Sequence, residues 1–136
     1  MNYKYMSIAL KLADKAYKKS EVPVGCVIVN NDKIISKAYN QKEKKHCCLE
    51  HAELIAIKQA SKKQKNWRLE ECELYVTLEP CKMCFEAIVQ ARITKVYYLL
   101  DSKFDCEKNI SVIKKINHDD VLIYKNKLQK FFKTKR

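Results

Sequence analysis

Two short segments of this sequence hold side chains that could do chemistry: His51-Ala52-Glu53 and Pro80-Cys81-Lys82-Met83-Cys84. Cys81 and Cys84 stand three positions apart, so on a helix they leave from one face. Each segment reads as the opening of a helix, where free N–H groups and the helix dipole favour the thiolate. Two thiolates and the His51 imidazole make a set of three ligands. Around tetrahedral zinc that leaves one position for water, the arrangement of a catalytic site. Glu53, two residues after His51, need not ligate. From the first helical turn its carboxyl can lean over the open position, take a proton from the activated water and pass it on.

Other readings of the same residues stay open at this level. Cys-x-x-Cys also serves as a redox dithiol, although that motif normally follows the first strand of its domain. His51 alone is compatible with a helix cap or a solvated loop residue. A second ligand group, His46, Cys47 and Cys48, crowds the same loop, with ordinary loop residues as the competing account. A zinc-stabilised RNA-binding module without catalysis is a further class. Glu53 argues against it, because a structural site closes with a fourth ligand and has no use for a nearby free carboxylate.

The elements that must position these groups follow from periodicity and turn chemistry. Apolar residues at helical spacing mark a helix over 5–18. Residues 22–29 read as a buried strand with an irregular lead-in at Pro23-Val24-Gly25, and Asn30 to Lys33 as the turn into a second strand, 34–39. Residues 41–45 read as a charged loop and 51–63 as a helix. A strand over 74–77 leads to Pro80, which opens a helix through Ala91, as proline does in a first turn. Residues 95–100 read as a strand, 111–116 as a helix and 121–124 as a short fifth strand. A last helix follows, with Tyr124, Leu128 and Phe131 as its apolar stripe. This order contains crossover units, so a sheet sandwiched between helices is the expected packing.

Composition limits the partners. The chain has 136 residues and a formal net charge of +12, enough for one domain that buries roughly two-thirds of its unfolded surface. Arg68, Arg92 and Arg136 are the three arginines among 28 basic residues, so 28 less 3 leaves 25 lysines. Such a spread suits neutralising phosphates more than reading bases, or simply keeping a small protein soluble. One Gly and two Pro exclude collagen-like and Pro-rich readings. Seven cysteines, an odd number, argue against a secreted disulfide framework and for a reducing compartment. No apolar run approaches the ~18 residues of a membrane span, and the first residues lack the pattern of a secretory signal. A cytoplasmic, membrane-free protein is expected.

The pattern His-x-Glu…Pro-Cys-x-x-Cys is that of the zinc nucleobase deaminases, and the rest of the chain resembles the bacterial tRNA-specific adenosine deaminases within the cytidine/deoxycytidylate deaminase superfamily. Glu21-Val22-Pro23-Val24-Gly25-Cys26-Val27-Ile28-Val29 is similar to that family's first-strand segment. Thr77-Leu78-Glu79-Pro80-Cys81-Lys82-Met83-Cys84 is similar to its second motif, and Ala87-Ile88 and Ala91-Arg92-Ile93 continue the agreement. Phe131-Phe132-Lys133-Thr134-Lys135-Arg136 resembles the basic, double-Phe end of its last helix. The loop Cys47-Cys48-Leu49-Glu50 departs from the family's usual Asp-Pro-Thr-Ala. The stretch from Leu99 to Lys103 is about one residue shorter, and the stretch from Cys106 to Asp120 is abbreviated.

The resemblance implies a single domain over 1–136 with a three-layer α-β-α, cytidine-deaminase-like fold and a central mixed five-stranded sheet. It implies one zinc per chain on His51, Cys81 and Cys84, with Glu53 as catalytic proton carrier. Asn40, Val24, Ala52 and Asp101 are implied to bind the substrate, and Lys130, Phe132, Lys133, Lys135 and Arg136 the RNA. The activity it implies is hydrolytic deamination of the wobble adenosine to inosine in a tRNA anticodon loop of the tRNA-Arg type, by a homodimer. The alternative within the same chemistry is a deaminase of a free base or nucleoside, guanine or cytosine type.

Overall fold

Asn2 starts the first helix, earlier than the apolar stripe requires, because its Oδ1 accepts the Lys4 N–H at 3.1 Å and so satisfies a donor that the helix leaves free. In this computed structural model, described over residues 1–102 and 113–134, α1 (Tyr3–Lys18) is followed by β1 (Gly25–Asn30) and β2 (Lys33–Tyr39). Next come α2 (Lys42–Lys45), α3 (Ala52–Gln64), β3 (Cys72–Leu78) and α4 (Lys82–Gln90). The chain continues with β4 (Lys95–Leu100), β5 (Ile113–Lys115) and α5 (Asp120–Thr134). The β1–β2 hairpin turns at Asn31 and Asp32, with φ of 50° and 60°, the left-handed pair that matches strand twist and that Asn and Asp tolerate.

The sheet order is β2-β1-β3-β4-β5. β1 is antiparallel to β2 and β3, whereas β3, β4 and β5 run parallel. Alternating strand residues feed two cores. Cys26, Ile28, Leu74, Val76, Val96 and Tyr98 pack with Ala52, Ile55, Ala56 and Ile88 of α3 and α4. Val27, Val29, Tyr75 and Leu99 pack with Tyr5, Met6, Ala9 and Ala13 of α1 and Tyr124 of α5. The result is the expected three-layer α-β-α architecture. Each large side chain so buried contributes about 1.5–3 kcal/mol before entropy is counted. Gly25 is required by the closeness of α1: a Cβ there would stand 1.9 Å from the Ala9 carbonyl oxygen.

Several sequence expectations are corrected. β1 starts at Gly25 and not at Val22, because the Val24 N–H folds back onto the Val22 carbonyl at 2.8 Å around Pro23. The charged loop contains the short helix α2. The helix expected over 111–116 is, in its described part, strand β5. Ile113 and Ile116 mimic helical spacing, but pairing of Ile113 with Val96 and Lys115 with Tyr98 decides the conformation. The strand expected over 121–124 is the first turn of α5. β-branched Val121 and Ile123 favour a strand locally, yet Tyr124 and Phe131, seven apart, are the two buried positions and impose helical phase.

α5 is fastened across the sheet by a buried hydroxyl relay. The Tyr124 hydroxyl donates to the Pro23 carbonyl at 2.7 Å and accepts from Thr77 Oγ1 at 2.9 Å; Thr77 Oγ1 accepts the Gly25 N–H at 3.2 Å. Tyr3 also reaches α5, donating its hydroxyl to Asp120 Oδ2 at 2.7 Å, and Lys127 pairs with Asp14 on α1.

Candidate metal centre

Two helix openings meet at the centre. His51 is the N-cap of α3 and Cys81 the N-cap of α4, each with extended backbone, φ/ψ of −76°/150° and −69°/171°. Both were expected inside their helices. As caps they still supply the first helical carbonyls, to Ile55 N–H at 3.1 Å and Phe85 N–H at 2.8 Å, but neither side chain caps its own helix. The side chains point instead at each other. His51 Nδ1 lies 3.7 Å from Cys81 Sγ and 3.4 Å from Cys84 Sγ, and the three ligand atoms fall within 4.8 Å of one another. Tetrahedral zinc with ordinary Zn–S and Zn–N bonds places such atoms about 3.6 Å apart, so the donor set fits the ion.

Electrostatics fit as well. The Cys81 thiol is held down to about 3, first by the hydrogen bond from Cys84 and then by that with His51. Cys84 is pushed far above the usual thiol range, chiefly as the partner that keeps the shared proton and then by burial. His51 is raised by its hydrogen bond with Cys81. Cys81 and Cys84 would give up the shared proton and hold a dication as two thiolates. Glu53 is 4% exposed, and burial pushes its carboxyl up to about 7, where a group both accepts and gives a proton near neutrality. Among the described residues no other group of three His, Cys, Asp or Glu side chains converges this way, so His46, Cys47 and Cys48 do not assemble the second ligand set.

Asn40 sits beside this pair of caps. Its Oδ1 accepts the Ala52 N–H at 2.7 Å, and so supplies the α3 cap that His51 does not. Its own N–H donates to the Val24 carbonyl at 3.2 Å, so Asn40 bonds both Val24 and Ala52. Ala52 is wholly buried. Asp101 is exposed at the carboxyl end of β4, where Oδ1 accepts the Tyr98 hydroxyl at 2.9 Å and Oδ2 meets Lys115 Nζ at 2.6 Å. Lys130, Phe132 and Lys133 lie exposed on α5, on a different element from the metal ligands. Lys135 and Arg136 lie outside the described residues.

Sequence reasoning missed four residues that hold the elements around the centre. Glu79 Oε1 accepts the Ser102 N–H at 3.0 Å, and the Glu79 N–H donates to the Leu100 carbonyl at 2.8 Å. The end of β4 is thereby tied to the turn that delivers Cys81. Thr77 and Tyr124 form the hydroxyl relay described above. Glu21 holds α2. The available signal was modest: Thr77 and Glu79 stand in the segment before Pro80, and Glu21 is a charged residue opening an apolar run.

Comparison with known proteins follows the same lines. Residues 1–100 match the family model described as the cytidine and deoxycytidylate deaminase zinc-binding region. A tRNA-specific adenosine deaminase of Bacillus subtilis (strain 168) is 43% identical over 118 residues, covering 84% of this chain and 73% of that protein. One of Aquifex aeolicus (strain VF5) is 49% identical over 100 residues, covering 73% of this chain and 66% of that protein. A solved structure from a study of A-to-I editing by tRNA:A34 deaminases at the wobble position of transfer RNA superimposes with a TM-score of 0.78. It is 29% identical and covers 83% of this chain and 97% of that one.

Proposed function

The chain belongs to the cytidine and deoxycytidylate deaminase zinc-binding family, and from that premise we propose that it hydrolyses the wobble adenosine of a tRNA anticodon to inosine, releasing ammonia. The observation that carries the chemistry is the Glu53 carboxyl buried beside a three-ligand set of His51, Cys81 and Cys84. The choice of substrate is supported by the two tRNA-specific relatives, which give the free guanine or cytosine alternative no support.

His51 Nδ1, Cys81 Sγ and Cys84 Sγ would hold the zinc, whose chemistry here is to make a water molecule a nucleophile at neutral pH. Glu53 would accept one proton of that water and deliver it to the ring nitrogen of the base, then take the second from the hydroxyl that the ring carbon has gained and hand it to the departing amine. Asn40, its Oδ1 committed to Ala52, presents its amide NH2 to the base, and Val24 supplies the apolar wall. Asp101, at the carboxyl end of β4, meets the substrate backbone. An unpaired loop base reaches such a pocket without the full cost of leaving a duplex. Lys130, Phe132, Lys133, Lys135 and Arg136 line the RNA, the cations neutralising phosphates and Phe132 offering a stacking face.

The same reading makes the protein a cytoplasmic homodimer acting on tRNA of the tRNA-Arg type. Its support is that the six cysteines among the described residues are free thiols, that no described helix is long and apolar enough to cross a membrane, and that Leu49, two residues before His51, and Met83, next to Cys84, are exposed. The deciding experiment is nucleoside analysis of tRNA incubated with the zinc-loaded protein, with free guanine and cytidine as competing substrates. Inosine at the wobble position is the expected product; ammonia from a free base with no inosine in tRNA refutes the proposal.

A further inference from the structure

Glu21 is a carboxylate only 2% exposed, and the metal centre makes no use of it. Its Oε1 accepts the Glu43 N–H at 3.0 Å and its Oε2 the Lys44 N–H at 2.9 Å. Both donors belong to the first turn of α2, whose N-cap Gln41 makes no side-chain cap bond. Four residues reading Lys-Glu-Lys-Lys do not sustain a helix in water. A carboxylate at the N-terminus satisfies two orphan donors and opposes the positive end of the dipole. The segment from α2 onward ends at the centre: Gln41 N–H bonds the Glu50 carbonyl at 2.9 Å, one residue before His51. The same carboxylate lines a cleft of about 450 Å³ whose other walls include Lys42 and Glu43 of α2 and Phe131 and Phe132 of α5. The two lysine-bearing elements thus face each other across Glu21.

We infer that Glu21 is a positioning residue for the RNA: by fixing α2 it holds Lys42 at the cleft before the RNA arrives, so the ordering of that side chain is not charged to binding. No other side-chain type serves here. An apolar group would leave two N–H groups without an acceptor, and an amide would set an NH2 against one of them. The consequence for turnover rests on the RNA reading above; the capping of α2 does not.

The test uses the zinc-loaded full chain and Glu21→Gln, which keeps the shape and loses one acceptor. Hydrogen exchange at the Glu43 and Lys44 amides is expected to speed up at least tenfold. KM for an anticodon stem-loop is expected to rise about tenfold, the worth of a bond to a charged group, with kcat and zinc per chain within twofold. Glu21→Asp, which keeps the charge, is expected to recover part of the KM. Should Glu21→Gln fail to fold, Glu43→Pro removes the donor to Oε1 while leaving Glu21 in place, and must raise KM in the same direction. Unchanged exchange with unchanged KM overturns the inference. So does a fall in kcat that tracks zinc loss, which would make Glu21 a brace of the metal centre. If the wild-type protein deaminates no RNA, the RNA reading fails by itself, and the amide exchange rates still report whether Glu21 holds α2.

Discussion

Around the ligands, Asn40, Glu53, Thr77 and Glu79 are each 5% exposed or less, and the His51 and Cys81 carbonyls and the Ala52 N–H are bonded to named partners. Along α5 only Tyr124 and Phe131 are buried, while Leu122, Ile123 and Phe132 are 67%, 68% and 45% exposed and Lys125, Lys130 and Lys133 face water. On the function proposed above, the difference follows from two tasks. Moving a proton between a carboxyl and a base requires positions held to a fraction of an ångström in a dry site, which burial enforces. Attracting a polyanion requires charge on one side of the molecule, which tolerates mobile side chains.

If the two ends are separable in this way, damage at the metal end should be severe and local. Cys81→Ala or Cys84→Ala should take both zinc content and deamination to background, since two remaining ligands do not hold the ion tightly; metal analysis and an inosine assay on one preparation check both. Glu53→Gln should keep one zinc per chain and lower kcat by about 10²–10⁴-fold, the usual worth of a positioned acid–base group. Loss of zinc in that variant would mean that Glu53 had been a ligand. At the other end, replacing Lys130, Lys133, Lys135 and Arg136 with Gln should leave zinc and fold intact. The slope of log affinity against log salt should then fall by up to ~0.7–0.9 per lost phosphate contact. An unchanged slope and unchanged tRNA turnover would reduce α5 to packing.

Tyr124→Phe sharpens the comparison, because its hydroxyl is the buried link between the two ends. Removing it strands the Pro23 carbonyl and the Thr77 hydroxyl, at a cost of about 1–3 kcal/mol, to be read as a lower urea midpoint. Weaker RNA binding at unchanged stability would show instead that α5 and the Val24 wall are coupled functionally. The smallest effect is expected from Cys47→Ser with Cys48→Ser, which should leave zinc at one per chain. A zinc-free double variant would revive His46, Cys47 and Cys48 as ligands.

The cluster of His51, Cys81 and Cys84, the Glu53 carboxyl and the three-layer fold were legible because their signals are local or periodic. Cys81 and Cys84 share a helical face, His51 and Glu53 share a first turn, and the first four strands declare themselves by apolar runs between turn residues. What sequence misjudged lies where long-range pairing outweighs local preference. Ile113 and Ile116 keep helical spacing and yet extend along β4. Val121 to Ile123 favour a strand and yet wind into α5, because Tyr124 and Phe131 must face the core together.

The sequence by itself therefore determined the chemistry: which atoms could bind zinc, which carboxyl could move a proton, and that a basic chain would attract an anion. Only the tertiary structure decided that His51 turns Nδ1 toward both sulfurs, that Asn40 rather than His51 caps α3, and that Glu21 and Tyr124 hold elements distant in sequence. The reason is that a side-chain type and its spacing along a helix are set by residues a few positions apart. The partner of a buried N–H or hydroxyl, in contrast, is whatever the fold brings within hydrogen-bond reach, here across a separation of 101 residues between Pro23 and Tyr124.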